Sequence, residues 1–149
     1  MVTGGLVFAG GVLRMQNKFS KEAELHWGSP TGWNDASDAF RHAYVGARFS
    51  QYLGEHIPNI LGLMHEGIAT SDDPRDSAMD VWNNKVGSEI GKKYLQEDDN
   101  ASIAIAKEIK QAINSGLLIT DFMTDPRVNN SKAKQKNNFN LTDNTHDFF

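Results

Sequence analysis

Three places in this chain set chemistry-bearing side chains at useful spacing. Asp38 and His42 stand four residues apart, so on a helix they share a face and a carboxylate–imidazole hydrogen bond is within reach. A carboxylate there orients the imidazole and favours its protonated form. Such a pair serves a general base or a metal ligand. The competing reading is a buried pair that satisfies itself. Arg41, from the same turn, points toward a charged strip of the helix. It could hold a phosphate or carboxylate through its planar fork, or close a salt bridge with Asp38 or with an acid on another helix.

The second place is His65-Glu66. Adjacent helical residues diverge by about 100°, so the two do not face one point squarely. The residue four beyond His65 is Ala69, which excludes the HExxH zinc motif. Glu66 could act as a general acid or base if a cleft shields it, and His65 could join a substrate or cation site. The plainer alternative is an exposed helix end, where an imidazole complements the dipole.

The third place is the run Met79-Asp80-Val81-Trp82-Asn83-Asn84-Lys85-Val86-Gly87. Asn83 projects into the apolar arc of Met79, Trp82, Val86 and Ile90, where a buried amide without partners costs about 1–3 kcal/mol. Asp80, Asn84, Gly87 and Gly91 form a neighbouring stripe. A glycine inside a helix loses about 1 kcal/mol against alanine, so two on one stripe imply the close approach of another backbone or a ligand. Close helix contact, with Asn83 bonded to a neighbouring main chain, is the purely structural version. Together these places offer side-chain oxygens from Asp38, Glu66, Asp80, Asn83 and Asn84, and imidazoles from His42 and His65. That donor set suits hydrolysis or a divalent cation. Its spacing matches no EF-hand, and G-x-S-x-G, P-loop, GxGxxG and zinc-finger patterns are absent.

The elements that must position these groups are helices. A long one begins near Asn34 or Asp35 and runs to about Leu53, with Gly54 as its stop. It carries two apolar faces: Ala36, Ala39, Phe40, Ala43, Tyr44 and Ala47 on one, and Val45, Phe49, Tyr52 and Leu53 on the other. A charged strip of Arg41, Arg48 and Glu55 lies between them, and Asp38 and His42 fall beside Val45 and Phe49. A helix apolar on two sides is central to its fold. Pro58 opens a further helix through Ile60, Leu61, Met64 and Ile68. Asp73-Pro74 with Asp76 starts the next, whose stripe is Met79, Trp82, Val86, Ile90 and Tyr94. Asn100 caps one more, with Ile103, Ile105, Ala106, Ile109, Ala112 and Ile113, and Gly116 ends it. Ser20, with Glu22 and Glu24 behind it, starts a short helix ahead of the Gly28–Gly32 loop. Leu117–Met123 reads as a short helix or docked extension. The expected fold is all-α, about five helices around the central Asn34–Leu53 helix.

The chain has 149 residues, one domain at roughly 100–200 residues each. Residues 1–19 read as a Gly-rich apolar leader that packs loosely or extends, with membrane perturbation as an alternative use; residues 20–124 are the helical domain. From Asp125 to Phe149 the chain is rich in Asn, Lys and Asp and reads as largely disordered, with Phe148 and Phe149 as a docking end. The absence of cysteine excludes disulfides, thiolate metal sites and cysteine nucleophiles. A net charge of −4 argues against nucleic acid as partner. No stretch approaches the roughly 20 apolar residues of a membrane span.

Taken in order, Asp38-Ala39-Phe40-Arg41-His42-Ala43-Tyr44, His65-Glu66 and Met79-Asp80-Val81-Trp82-Asn83-Asn84-Lys85-Val86-Gly87 resemble a bacterial and phage-associated family of uncharacterised domains. That family carries a Phe-Arg-His-Ala block, a His-Glu pair and a Met-Asp-x-x-Asn-Asn-x-x-Gly block. The likeness runs from about Trp33 to Tyr94, and the family's first block continues with tryptophan where this chain has Val45. The resemblance implies a secreted or toxin-like setting, delivery to the cell envelope and a cognate immunity protein as partner. The expectation is therefore an effector-type hydrolase acting on envelope lipid or glycan. His42, oriented by Asp38, would be base or ligand, and Glu66 the second acid–base group. Asp80, Asn83, Asn84 and His65 would hold substrate, water or a divalent cation, and Arg41 an anionic group. The rival expectation is a binding or structural module in which the same polar groups form a buried network.

Overall fold

A computed structural model describes residues 3–29, 32, 35–54, 73–95 and 100–133. Among them are four α-helices, α1 (Thr3–Trp27), α2 (Ala36–Leu53), α3 (Pro74–Lys92) and α4 (Ala101–Asn114), then a 3-10 helix (Pro126–Ala133) and no strand. The fold is all-α. The expected helix from Pro58 to Ile68, Glu55 and residues 134–149 with Phe148 and Phe149 lie outside the described residues.

Helix α2 starts as its sequence dictates. Asp35 is extended and its side chain accepts from the N–H groups of Ser37 and Asp38, satisfying two donors that a helix start leaves open. Gly54 closes the helix at a φ of 54°. Both apolar faces are used. Ala39, Phe40, Ala43, Tyr44 and Ala47 join the main core with α3 and α4. Val45 and Phe49 form a second cluster with Val12 and Phe19 of α1. Phe19 meets Phe49 edge-on, with ring centroids 5.2 Å apart.

Residues 3–19 are not a loose leader but the first two thirds of α1, and Ser20 sits inside that helix rather than at a cap. Gly10 and Gly11 weaken the local helix, which is what made the stretch read as irregular. Burial decides otherwise: Val12, Met15, Phe19 and Ala23 recur at helical spacing and fall against α2. Further along α1, Glu22 pairs with Arg48 across 3.2 Å and accepts from the Tyr44 hydroxyl at 3.0 Å. The Arg48 guanidinium lies 5.2 Å from the Phe19 ring. The charged strip is thus buried at Arg48, whose side chain is 1% exposed.

Helix α3 begins at the expected Asp73–Pro74 signal, with Asp73 accepting from the Arg75 N–H. It lies along α2 in direct backbone contact. A Cβ on Gly87 would stand 1.9 Å from the Ala43 carbonyl oxygen, and one on Gly91 2.0 Å from that of Ala47. A step of four residues on α3 matches a step of four on α2 in the same direction, so the two helices run parallel. From Gly46 the same contact reaches the Asn84 carbonyl at 2.5 Å.

Beyond α4, Gly116 takes a φ of 76° and Leu117–Met123 continues as a non-helical segment with Leu118 and Ile119 buried. The Trp82 indole donates to the Leu117 carbonyl at 2.9 Å, and Arg127 donates to the same oxygen at 2.9 Å. Residues 126–133, expected to be disordered, form the 3-10 helix and bury Val128. One valine and the Arg127 bonds anchor a segment whose composition alone reads as solvent-loving.

Candidate functional site

Asp38 and His42 come from the first half of α2 and Asp80 and Asn84 from the middle of α3. The glycine contacts bring the two backbones so close that a side chain as short as aspartate crosses the gap. His42 Nε2 stands 3.2 Å from Asp80 Oδ1 and 3.6 Å from Asp38 Oδ1. One ligand-capable atom from each of the three residues lies within 4.8 Å of the others. Arg41 donates to Asp38 from the rim. The cluster is buried on its α2 side, where the Asp38 side chain is 3% exposed, and reaches solvent through Asp80 at 22% and Arg41 at 28%.

Asp38 and His42 lie, as expected, on the stripe of α2 that continues through Val45 and Phe49; its first half meets Asp80 of α3 and its second half Val12 and Phe19 of α1. The placement overturns the expected protonation. Burial pushes the His42 imidazole down to about 4 against the pull of Asp38; Arg41 adds to the fall and the Asn84 amide opposes it. Burial pushes the Asp80 carboxyl up to about 7, helped by Asp38 and Asp76 and opposed by Arg41. Desolvation outweighs the neighbouring carboxylate, so His42 is neutral at neutral pH. Its contacts to Asp38 and Asp80 are polar contacts rather than ion pairs.

Two buried oxygens in the cluster complete no hydrogen bond: Asp80 Oδ1 and Asn84 Oδ1. Asn84 is 6% exposed and its amide lies against the His42 ring. A neutral imidazole beside two carboxylates and an amide oxygen can take a proton from water, hold a cation, or position a polar substrate group.

Of the residues expected to act together, Asp38, Arg41, His42, Asp80 and Asn84 are brought together. Asn83 is not. Its side chain is spent on the segment after α4, donating to the Ile119 carbonyl and accepting the Ile119 N–H, each at 2.9 Å. The purely structural version of that residue is the one found, and Gly87 and Gly91 likewise answer to backbone contact. His65 and Glu66 lie outside the described residues. Asp76, buried near Asp80, joins the electrostatics of the site; its place in the first turn of α3 marked it only as a helix-start residue.

The model of a family described as a domain of unknown function, DUF6973, matches residues 2–117. The chain belongs to that family. The matched span takes in all four α-helices, so α1 is part of the DUF6973 domain, and the 3-10 helix lies beyond it. No solved structure matches the chain. Among the described residues, no helix is long and apolar enough to cross a membrane.

Proposed function

We propose that this DUF6973 domain is an effector-type hydrolase acting on cell-envelope material, lipid or glycan, at the cluster between α2 and α3. The observation that carries the reading is the His42–Asp80 contact of 3.2 Å in a cluster sealed on one side and wetted on the other. His42, neutral and held by Asp38, accepts the proton of an attacking water or hydroxyl. Asp80 and Asn84 hold that water or the substrate oxygen. Arg41, tethered to Asp38 at the rim, meets an anionic group of the substrate. Glu66 stays the candidate for the second acid–base group and His65 for a substrate contact. A toxin-like setting with a cognate immunity protein follows from the motif resemblance.

The test is direct. Purified chain is incubated with phospholipid vesicles and, separately, with peptidoglycan, and products are read by mass spectrometry. Cleavage of one of them, lost in His42→Ala at unchanged helical content, is the expected result. No cleavage by the wild-type chain, or equal cleavage by a folded His42→Ala chain, sinks the reading. The rival reading, a structural module, draws support from Asn83, which spends its amide on the main chain at Ile119. It expects His42→Ala to lower the melting temperature and no substrate to turn over.

A further inference from the structure

We propose that Asp38, His42 and Asp80, completed by the side-chain oxygen of Asn84, form a binding site for one first-row divalent cation of the zinc or manganese type. This rests on the cluster of the hydrolase reading and deepens it.

Spacing is the first support. Ligands about 2.0–2.2 Å from a tetrahedral ion stand about 3.3–3.6 Å from each other. His42 Nε2 lies 3.2 Å from one carboxylate oxygen and 3.6 Å from the other. Both carboxylates therefore sit around a single ring nitrogen at the edge length that a shared ion needs.

The unspent acceptors are an independent support. Asp80 Oδ1 and Asn84 Oδ1 are buried and complete no hydrogen bond. A buried acceptor left alone destabilises the fold. A cation satisfies both at once, whereas protons would have to be supplied separately to each. The Asn84 oxygen favours a ligand set over an acid cluster, because an amide neither ionises nor takes up a proton near neutral pH.

Charge points the same way. Asp38, Asp76 and Asp80 act on one small volume, and Arg41 is the cation that opposes them there. A doubly charged ion removes that surplus. By contrast, the buried group of Glu22, Tyr44 and Arg48 contains its own cation.

The donor types choose the ion. Calcium takes six to eight oxygens, and magnesium keeps several waters in a strict octahedron. An imidazole with two carboxylates and an amide oxygen suits first-row ions. Arg41 on Asp38 then acts as an outer partner that aims the carboxylate. Exposure at Asp80 leaves room for entry and for a bound water.

The experiment uses the full chain, stripped with chelator and dialysed. Titration calorimetry with Zn²⁺ and with Mn²⁺ should show one ion per chain and a raised melting temperature. Asp80→Asn and His42→Gln should weaken binding by at least the roughly 10–100-fold that loss of an outer partner costs. Binding equal in wild type and both variants, or no binding of either ion, overturns the site. X-ray absorption at the zinc edge of the wild-type chain decides even if a variant does not fold. A shell of oxygens with one imidazole supports the proposal, and two or more imidazoles overturn it. Binding is read without substrate, so the two readings separate. A chain that cleaves envelope material without binding an ion keeps the hydrolase and loses the cation site. A chain that binds one ion and cleaves nothing does the reverse.

Discussion

At His42, two effects of opposite sign meet and burial wins. The carboxylate four residues earlier is the kind of neighbour that protonates an imidazole, yet the ring sits near 4 because it is enclosed. Asp80 shows the same physics with the sign reversed. Its carboxyl, near 7 in the folded metal-free chain against 3.8 unfolded, binds more protons folded than unfolded between those values. Its contribution to stability is therefore full below 3.8 and is lost as pH rises through about 7. His42, Asp38, Asp76 and Arg41 are the charged and titratable groups around it, and all remain in Asp80→Asn. The stability of the metal-free wild type relative to Asp80→Asn should fall as pH rises from about 4 to about 7, by at most about 4 kcal/mol at 1.36 kcal/mol per unit. Urea unfolding of both chains across that range measures it; a flat or rising difference contradicts the assignment. Arg48 poses a simpler problem. It is buried against Glu22, so Glu22→Ala leaves a charge without that partner and should cost about 3–5 kcal/mol in chemical denaturation. A cost below about 1 kcal/mol would place that pair among ordinary surface bridges.

At the scale of elements, the α2–α3 contact makes the site. Gly87→Ala puts a methyl where the Ala43 carbonyl stands and should cost at least about 1–3 kcal/mol while drawing Asp80 away from His42. Gly10→Ala, on the exposed side of α1 with nothing within 4 Å of its added carbon, should instead stabilise by about 0.5–1 kcal/mol. Melting curves of the two variants should move in opposite directions. The stripe of Asp80, Asn84, Gly87 and Gly91 was legible in the sequence because helical spacing puts those residues on one face. Which helix that face meets was not legible, since small residues mark a close approach without naming the partner. Asn83 was legible as a costly buried amide, but its partner at Ile119 is distant in sequence and belongs to a segment with no helical period. The start of α2 and of α3 could be read from Asp35 and from Asp73–Pro74, because caps are local chemistry. The continuity of α1 could not, because burial against Val45 and Phe49 outweighs the local signal of Gly10 and Gly11.

Over the whole molecule, α2 stands between two apolar clusters: the middle of α1 supplies one, and α3, α4 and the end of α1 at Ala23 and Trp27 supply the other. The central helix was read from its two apolar faces, which is why the all-α fold and its middle element were legible together. The 3-10 helix escaped because one buried valine in an Asn-rich stretch carries little compositional weight. That architecture assigns separate work to two residues three apart on α3: Asp80 meets His42 of α2, while Asn83 ties down the segment at Ile119. The most direct measurement compares the cleavage of envelope material and the melting temperature of Asp80→Asn and Asn83→Ala, side by side. Asp80→Asn should fold and lose turnover. Asn83→Ala, leaving both main-chain groups of Ile119 unpaired, should lose about 1–3 kcal/mol or more yet turn over normally below its melting point. Full turnover in Asp80→Asn, or lost turnover in a folded Asn83→Ala chain, would contradict that division of work.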